Sequence, residues 1–464
     1  MFFSQHYLAC LSHASYLIGD QTSGRAVVVD PQRDVNAYLD EAAAAGLVVE
    51  RVIETHLHAD FLSGHLEVAA RTGAVISYGE GAQTEFAIDQ LRDGQRLSLG
   101  DVTLEVITTP GHTPESICIA VYEHAADVAP HAVLTGDTLF IGDVGRPDLL
   151  ASSGSGLSGD ALARQLYRSL RTKLMLLPDE TRVFPAHGAG SSCGRQLSTE
   201  TSSTIGEQRK SNYALQPMSE DAFVRLVTEG QPPKPTYFMF DAVRNRVLRE
   251  LLDEDRPPPM LGVEETLARH RRGAQLLDMR EPPEYAAAHL AGSVNVGLQG
   301  RFAEWAADVL DPGSDVVLVG DRDTGLAAKV RLGRVGFDRV AGQLGDLPGA
   351  LTAHPELVEV SSRLTAPQLA DLLRAETVQI VDVRGPGETA EGTIPGAKLV
   401  PLAVLVEVMD SLDNSAPTVV YCASGYRSAV AASVLRCAGF DDVSDLLGGY
   451  TAWAAAGLPA TPAQ

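Results

Sequence analysis

The segment Thr55-His56-Leu57-His58-Ala59-Asp60-Phe61-Leu62-Ser63-Gly64-His65 gathers three imidazoles and a carboxylate directly behind the apolar pair Val52-Ile53. Imidazole and carboxylate together suit a borderline transition metal, and the end of a strand is a rigid place from which to present them. Similar donors recur in similar positions: His112 after Thr108-Thr109-Pro110, Asp137 soon after Leu134, and His187 after the run Thr181 to Phe184. A single Asp or His at a strand end is more often a cap or turn residue, but this series points to a metal centre. A second chemistry lies near the other end of the chain. Cys422-Ala423-Ser424-Gly425-Tyr426-Arg427-Ser428 follows the β-rich run Thr418 to Tyr421 and leads into a helix from Ala429 to Ala438. A thiol at a strand end, with backbone N–H groups curling toward a helix start and an arginine in the loop, sits in positive potential that favours thiolate. Cys437, inside the helix, reads as structural.

The elements that must position these groups have α/β texture. Ser15 to Ile18, Ala26 to Val29 and Arg51 to Glu54 read as strands, with an Ala-rich helix from Val35 to Ala45 between the last two. Thr103 to Ile107, Ile117 to Tyr122 and Ala132 to Leu134 are further strands, and Asp160 to Leu176 is an amphipathic helix. Two proline clusters follow, at 230–235 and at Pro257-Pro258-Pro259. Proline runs resist helix and sheet interiors, so both read as linkers or surface crossings. The domain boundary is expected at the second cluster, because Tyr237 to Leu252 still looks ordered.

Beyond residue 260 the chain repeats. Asp278-Met279-Arg280 matches Asp382-Val383-Arg384 and Gly292 matches Gly396 at an offset of 104, while Gly336-Phe337-Asp338 matches Gly439-Phe440-Asp441 at 103. Such a register marks two copies of one small α/β domain. Domains are therefore expected over residues 1–255, 261–355 and 362–462. At the 103 offset Val319 falls opposite Cys422, and no cysteine lies between Cys193 and Cys422.

With 464 residues, 45% apolar and 21% charged, the chain is ordinary soluble multidomain material without a membrane-length apolar run. Its net charge of −23, with 60 acidic against 37 basic side chains, argues against nucleic acid. The first residues carry neither a secretory nor a transit pattern, so a cytoplasmic location is expected. Five scattered cysteines without a CxxC pair read as reduced thiols.

The Cys422 loop, with Asp382-Val383-Arg384 and Leu447-Gly448-Gly449-Tyr450, resembles the rhodanese family over Leu364 to Pro459. That resemblance implies a doubly wound α/β domain whose Cys422 carries sulfane sulfur as a persulfide, cradled by the loop from Ala423 to Ser428. Thr393 stands where the family often has a histidine. The first copy, Val263 to Leu351, is rhodanese-like too, but without a thiol it is expected to be catalytically inactive.

The order of donors in the first 245 residues resembles the metallo-β-lactamase superfamily, an αβ/βα sandwich with a His-x-His-x-Asp-His motif, in which Phe61 here replaces the last histidine. Within it the chain is most similar to persulfide dioxygenases, which hold one Fe(II) through two histidines and an aspartate. Carried over by position, the ligands are His56, His112 and Asp137, with one Fe(II) per chain. His58, Asp60, His187 and Arg146, in Gly145-Arg146-Pro147-Asp148, would stand behind the metal or beside the substrate. The implied partners are a low-molecular-weight thiol persulfide, O₂, and sulfite or thiosulfate, with no nucleic acid and no membrane; a homo-oligomer is compatible with the sequence. The domain order resembles bacterial sulfide-detoxification fusions that turn persulfide into thiosulfate. Two alternatives are a zinc-dependent thioester hydrolase of the glyoxalase II kind, against which Phe61 speaks, and a sulfur-relay protein with a vestigial metal site.

Overall fold

The alternating strands of the first 210 residues build two six-stranded sheets, each with its strands side by side in chain order. The computed structural model describes residues 1–149, 158–195, 197–375 and 377–461; residue 462, the expected end of the third domain, lies outside them. The first sheet holds Phe2–Leu8, His13–Asp20, Arg25–Val29, Val48–Ile53, Val75–Gly79 and Asp89–Leu91. The second holds Arg96–Ser98, Thr103–Thr108, Ile117–Tyr122, Ala132–Gly136, Arg182–Pro185 and Ser203–Thr204. Alternate side chains of the two inner faces, among them Tyr16, Val27, Ile53, Leu104, Ile119, Leu134 and Phe184, form one core between the sheets. The outer face of the first sheet is covered by Asn36–Ala44 and His65–Thr72, whose Tyr38, Ala42, Leu66 and Val68 join a second core. The outer face of the other carries Gly159–Thr172, Ile205–Ser211 and Glu220–Thr228. The result is the four-layer αβ/βα sandwich.

Local chemistry sets the limits of these elements. The helix expected from Asp160 to Leu176 begins at Gly159, where the Ser158 hydroxyl accepts from the Ala161 N–H, and ends at Thr172; Leu174–Leu176 continues as a 3₁₀ turn. Two backbone hydrogen bonds join the sheets at the end that carries the donors, Ile117 N–H to Thr55 O at 2.8 Å and Ala14 N–H to Ala186 O at 2.7 Å.

The chain separates into two compact units. One is Met1–Gln231 with Phe238–Leu252; the other is Pro232–Tyr237 with Asp253–Gln464. Within the first, the segment after the first proline cluster serves the metal-motif loop. Asn245 Oδ1 accepts from Ser63 N–H at 3.0 Å, and its Nδ2 donates to the carbonyls of His58 at 2.9 Å and Phe61 at 2.8 Å. Arg249 and Arg33 converge on Glu67, all three buried, at 2.6 and 2.8 Å. Burial pushes the Glu67 carboxyl up, but the two guanidiniums prevail and hold it below the ordinary value. Its stabilising contribution is therefore present above the unfolded-state pKa and is lost as pH falls through the lower folded-state value. Glu67→Gln, which leaves two buried guanidiniums without their carboxylate, is expected to cost about 3–5 kcal/mol. Calorimetry should show this as a fall on the order of 10 °C in the unfolding of this unit.

The second unit contains the duplicated domain. Two five-stranded parallel sheets have the same order: Met260–Leu261, Val340–Leu344, Val316–Val319, Gln275–Asp278, Ser293–Asn295, and Ser362–Leu364, Val443–Leu446, Thr418–Tyr421, Gln379–Asp382, Lys398–Leu399. Strand pairing corrects the sequence register. Asp278 lies opposite Val319 and Asp382 opposite Tyr421, so the offset here is 102 and Gly320, not Val319, occupies the place of Cys422. Glycine has no thiol either. Among the described residues, no helix is long and apolar enough to cross a membrane.

Candidate metal centre and thiol loop

Each expected donor lies just past the end of a strand, and the paired sheets bring these ends together. Asp137 Oδ2 is 3.8 Å from His56 Nε2 and 3.5 Å from His112 Nε2, while its Oδ1 is 3.6 Å from His187 Nε2. The three imidazoles are oriented by one device. His56 Nδ1 meets Thr55 Oγ1 at 3.0 Å; since Thr55 Oγ1 donates its own proton to Asp30, it accepts from the ring. His112 Nδ1 donates to the Arg146 carbonyl at 3.0 Å, and His187 Nδ1 to the Ser12 carbonyl at 3.2 Å. With Nδ1 protonated, a neutral ring points its Nε2 lone pair at Asp137. Burial, followed by the neighbouring imidazoles, holds His56 well below the ordinary histidine value and so neutral. The short chain Asp30–Thr55–His56 is thus a second-rank support of the kind metal-binding histidines use.

Asp137 has both carboxylate oxygens buried with no hydrogen-bond partner among the described residues. A buried carboxylate facing imidazole lone pairs lacks a counter-charge, and a cation among His56, His112 and Asp137 would supply it. These three can converge on one ion, all within 4.8 Å of one another, and a two-imidazole, one-carboxylate face leaves room for other ligands. The residues present therefore fit a metal.

His58 faces the other way. Its Nε2 lies 3.1 Å from Asp30 Oδ1 and 3.3 Å from Glu54 Oε2. Burial opposes charge on this ring, yet the two carboxylates outweigh it and hold the histidine well above its ordinary value. A charged imidazole has no lone pair to give a metal. Glu54 is itself held by Ser63 Oγ and by His65 Nδ1, the latter at 3.4 Å, which gives His65 a place behind the motif. Asp60 and His187 approach to 3.2 Å beside it. Phe61, fully buried, fills the adjoining space, its ring 4.1 Å from that of His13 and 4.5 Å from that of His58.

Arg146 reaches the centre through its main chain. Its guanidinium is paired in two-pronged fashion with Asp148 at 2.8 Å, while its carbonyl orients His112. Sequence reasoning passed over Asp30 and Glu54, although both stand at strand ends like the other donors; Asp30, at φ +50°, takes a backbone conformation non-glycine residues rarely adopt. It also gave no role to Cys193, which lies within ligand distance of Asp137 and His187 and whose thiol is pushed up by burial and then by the carboxylates of Asp60 and Asp137. Asn245 left no signal, being 184 residues from Phe61 in the chain.

In the second unit Cys422 sits at the end of Thr418–Tyr421, buried, with the Gly425 N–H 3.1 Å from its sulfur and Ser428 Oγ at 3.7 Å. Gly425, at φ +100°, turns the loop into the helix Tyr426–Cys437, a conformation that favours glycine. The loop is pinned from behind by Tyr450 N–H to the Cys422 carbonyl at 2.7 Å and Thr451 N–H to that of Ala423 at 3.0 Å. Ser424 is exposed at the mouth. Arg427 differs from expectation: its guanidinium pairs with both oxygens of Glu388, at 2.7 and 2.8 Å, so its charge is largely spent on a carboxylate.

Residues 8–187 match the model of the metallo-β-lactamase superfamily, and residues 263–342 and 365–456 each match that of the rhodanese-like domain. A mitochondrial persulfide dioxygenase of Bos taurus is 30% identical over half of this chain and 82% of its own. A probable metallo-hydrolase of Burkholderia pseudomallei is 32% identical over 46% of this chain and 81% of its own. Among solved structures, a metallo-β-lactamase from Staphylococcus aureus superposes with a TM-score of 0.67 at 31% identity, covering 74% of this chain and 99% of that one.

Proposed function

From a chain that belongs to the metallo-β-lactamase superfamily, has persulfide dioxygenase relatives and continues into two rhodanese-like domains, we infer an iron-dependent persulfide dioxygenase coupled to a sulfurtransferase. One observation carries this reading: a buried face of two imidazoles and one carboxylate shares a chain with a thiol set in a turn between strand and helix.

A ferrous ion on His56, His112 and Asp137 would supply the redox chemistry that O₂ insertion into sulfur needs, because spin pairing makes the uncatalysed reaction slow. The protein's part is to orient His56 and His112 through Thr55 and the Arg146 carbonyl, and to keep His58 protonated between Asp30 and Glu54 and thus off the metal. Phe61 excludes water and offers no donor. The overall reaction is RSSH + O₂ + H₂O → RSH + SO₃²⁻ + 2H⁺. A second persulfide loads Cys422, whose thiolate takes its outer sulfur while RSH leaves (RSSH + Cys–S⁻ → RSH + Cys–SS⁻); sulfite then takes that outer sulfur, the S–S bond breaks, its electrons return to the cysteine as thiolate, and S₂O₃²⁻ leaves. The Gly425 N–H steadies the sulfur. In the first copy Gly320 offers no sulfur, so that domain carries no transfer chemistry of its own.

Metal analysis coupled to an oxygen electrode tests the reading, with glutathione persulfide and coenzyme A persulfide as substrates. About one iron per chain and O₂ uptake with at least one persulfide are expected. Absence of uptake with every persulfide would defeat it. The cluster of Asp60, His187 and Asp137 favours one competing reading, a two-zinc thioester hydrolase. It requires zinc on the purified chain and thioester cleavage without O₂.

A further inference from the structure

The loop that holds Cys422 is not bordered by its own domain alone. The helix behind it, Tyr426–Cys437, is buried at every position from Ser428 to Leu435, on sides that a surface helix leaves wet. One side lies on its own sheet. The other covers Ser293–Asn295, the edge strand of the first copy, where the Asn295 N–H donates to Ser433 Oγ at 2.9 Å and the Cys437 thiol to the Ser293 carbonyl at 3.6 Å.

At the loop end of this seam stands Tyr426, joined by a peptide bond to Gly425. Its ring lies 4.7 Å from that of Trp305 in the first copy. Its hydroxyl is buried over Gly297, so closely that a methyl group on Gly297 would stand 2.2 Å from the oxygen. Gly297 is not one of the glycines at positive φ, so it is side chains and not the backbone that exclude a side chain there: the Tyr426 hydroxyl first, then its Cζ at 3.0 Å and Glu281 Oε1 at 3.1 Å. The hydroxyl makes no hydrogen bond among the described residues, so the seat works by shape.

We propose that the first rhodanese-like copy is the positioning element of the Cys422 loop: Gly297 and Trp305 seat the ring of Tyr426, which fixes the Gly425 N–H that meets the Cys422 sulfur. The proposal rests on the reading of Cys422 as sulfur carrier and deepens it. A copy without a thiol thereby keeps a share in sulfur transfer, because a displaced Tyr426 ring carries the adjoining Gly425 amide away from its 3.1 Å approach. Small displacements at a reacting group are expensive in rate.

The test is Gly297→Ala in the full chain, made in the parent and in a Tyr426→Phe background. Two readouts are followed: thiosulfate-to-cyanide transfer (kcat and KM separately) and the rate at which iodoacetamide alkylates Cys422, read by peptide mass spectrometry. In the parent, Gly297→Ala is expected to change kcat and the alkylation rate by about tenfold. In the Tyr426→Phe background, where the 2.2 Å contact is gone and only the 3.0 Å approach of Cζ and the 3.1 Å approach of Glu281 Oε1 remain, it should change them by at least about threefold less, with O₂ uptake unaffected throughout. Equal effects in both backgrounds, or no effect in the parent, overturn the proposal. Where Gly297→Ala does not fold, Trp305→Leu, which empties the other wall of the seat, should produce the same two changes; unaltered rates would again overturn it. If the parent transfers no sulfur, the carrier reading fails, and the alkylation arm still decides whether the first copy positions the loop.

Discussion

His112→Ala is expected to leave the chain with less than about 0.1 iron and to lower persulfide-dependent O₂ uptake by more than about 100-fold, while sulfur transfer at Cys422 continues. The magnitude follows from position. Substitutions of residues that merely orient ligands commonly cost ~10–100-fold in affinity or activity, so loss of a donor itself should exceed that range. His112 presents Nε2 to Asp137 at 3.5 Å, with its tautomer set by the Arg146 carbonyl; alanine removes the donor and leaves the carboxylate one imidazole short. His187→Ala provides the contrast. On the one-metal reading it stands beside the site, and its loss should fall within the ~10–100-fold range; on the two-zinc reading it should match His112→Ala. Plasma emission spectrometry and an oxygen electrode on the same preparations decide between them. Unchanged transfer in His112→Ala follows because Cys422 lies in the other compact unit. Full O₂ uptake by His112→Ala would overturn His112 as a ligand, whereas a vestigial metal site requires substoichiometric metal and no uptake in the parent.

Much of this centre could be read from the sequence because its donors obey one rule. His56, His112, Asp137 and His187 each follow an apolar run that becomes a buried strand, and a strand end both exposes and fixes the next side chain. Asp30 follows such a run as well, but a lone carboxylate at a strand end also describes an ordinary cap, so its part in holding Thr55 and His58 emerges only when the strands are paired. The motif spacing shows that His58 is near His56 but not which way its ring turns. That direction is fixed by Glu54 and Asp30, one from the same strand and one from its neighbour. Asn245 is beyond any local pattern: it ties down the motif loop from a segment on the far side of more than half of its unit.

The duplicated domain shows a different limit. Repeated Asp-x-Arg and Gly-x-x motifs identified two copies, and both sheets have the same strand order. The repeat is elastic, however. Between Lys398–Leu399 and Thr418–Tyr421 the second copy is two residues shorter than the first is between Ser293–Asn295 and Val316–Val319, so a register carried over from the flanking motifs misplaced the nucleophile position by one, at Val319 in place of Gly320. Charge was harder still. Arg427 reads as a cation beside the thiol because nothing in the local sequence reveals Glu388, 39 residues away, which binds it.

Cys422→Ser is expected to separate the two chemistries. A serine oxygen cannot carry sulfane sulfur, so thiosulfate formation from sulfite and enzyme-bound sulfur should fall by more than about 1,000-fold, as when a covalent nucleophile is removed. O₂ uptake should persist near the parent rate, since no donor of the metal centre is touched, and sulfite should accumulate where the parent releases thiosulfate. The change is nearly isosteric in a site where Cys422 is fully buried and its sulfur meets the Gly425 N–H, so the loop should keep its shape: a hydroxyl can accept the same hydrogen bond. This makes the serine variant more decisive than alanine, which would leave that amide without its acceptor. Chromatographic quantification of sulfite and thiosulfate during persulfide turnover reads the outcome directly. If Cys422→Ser still forms thiosulfate at the parent rate, sulfur does not pass through this thiol. With Gly320 at the corresponding place in the first copy, that domain could not take over the transfer.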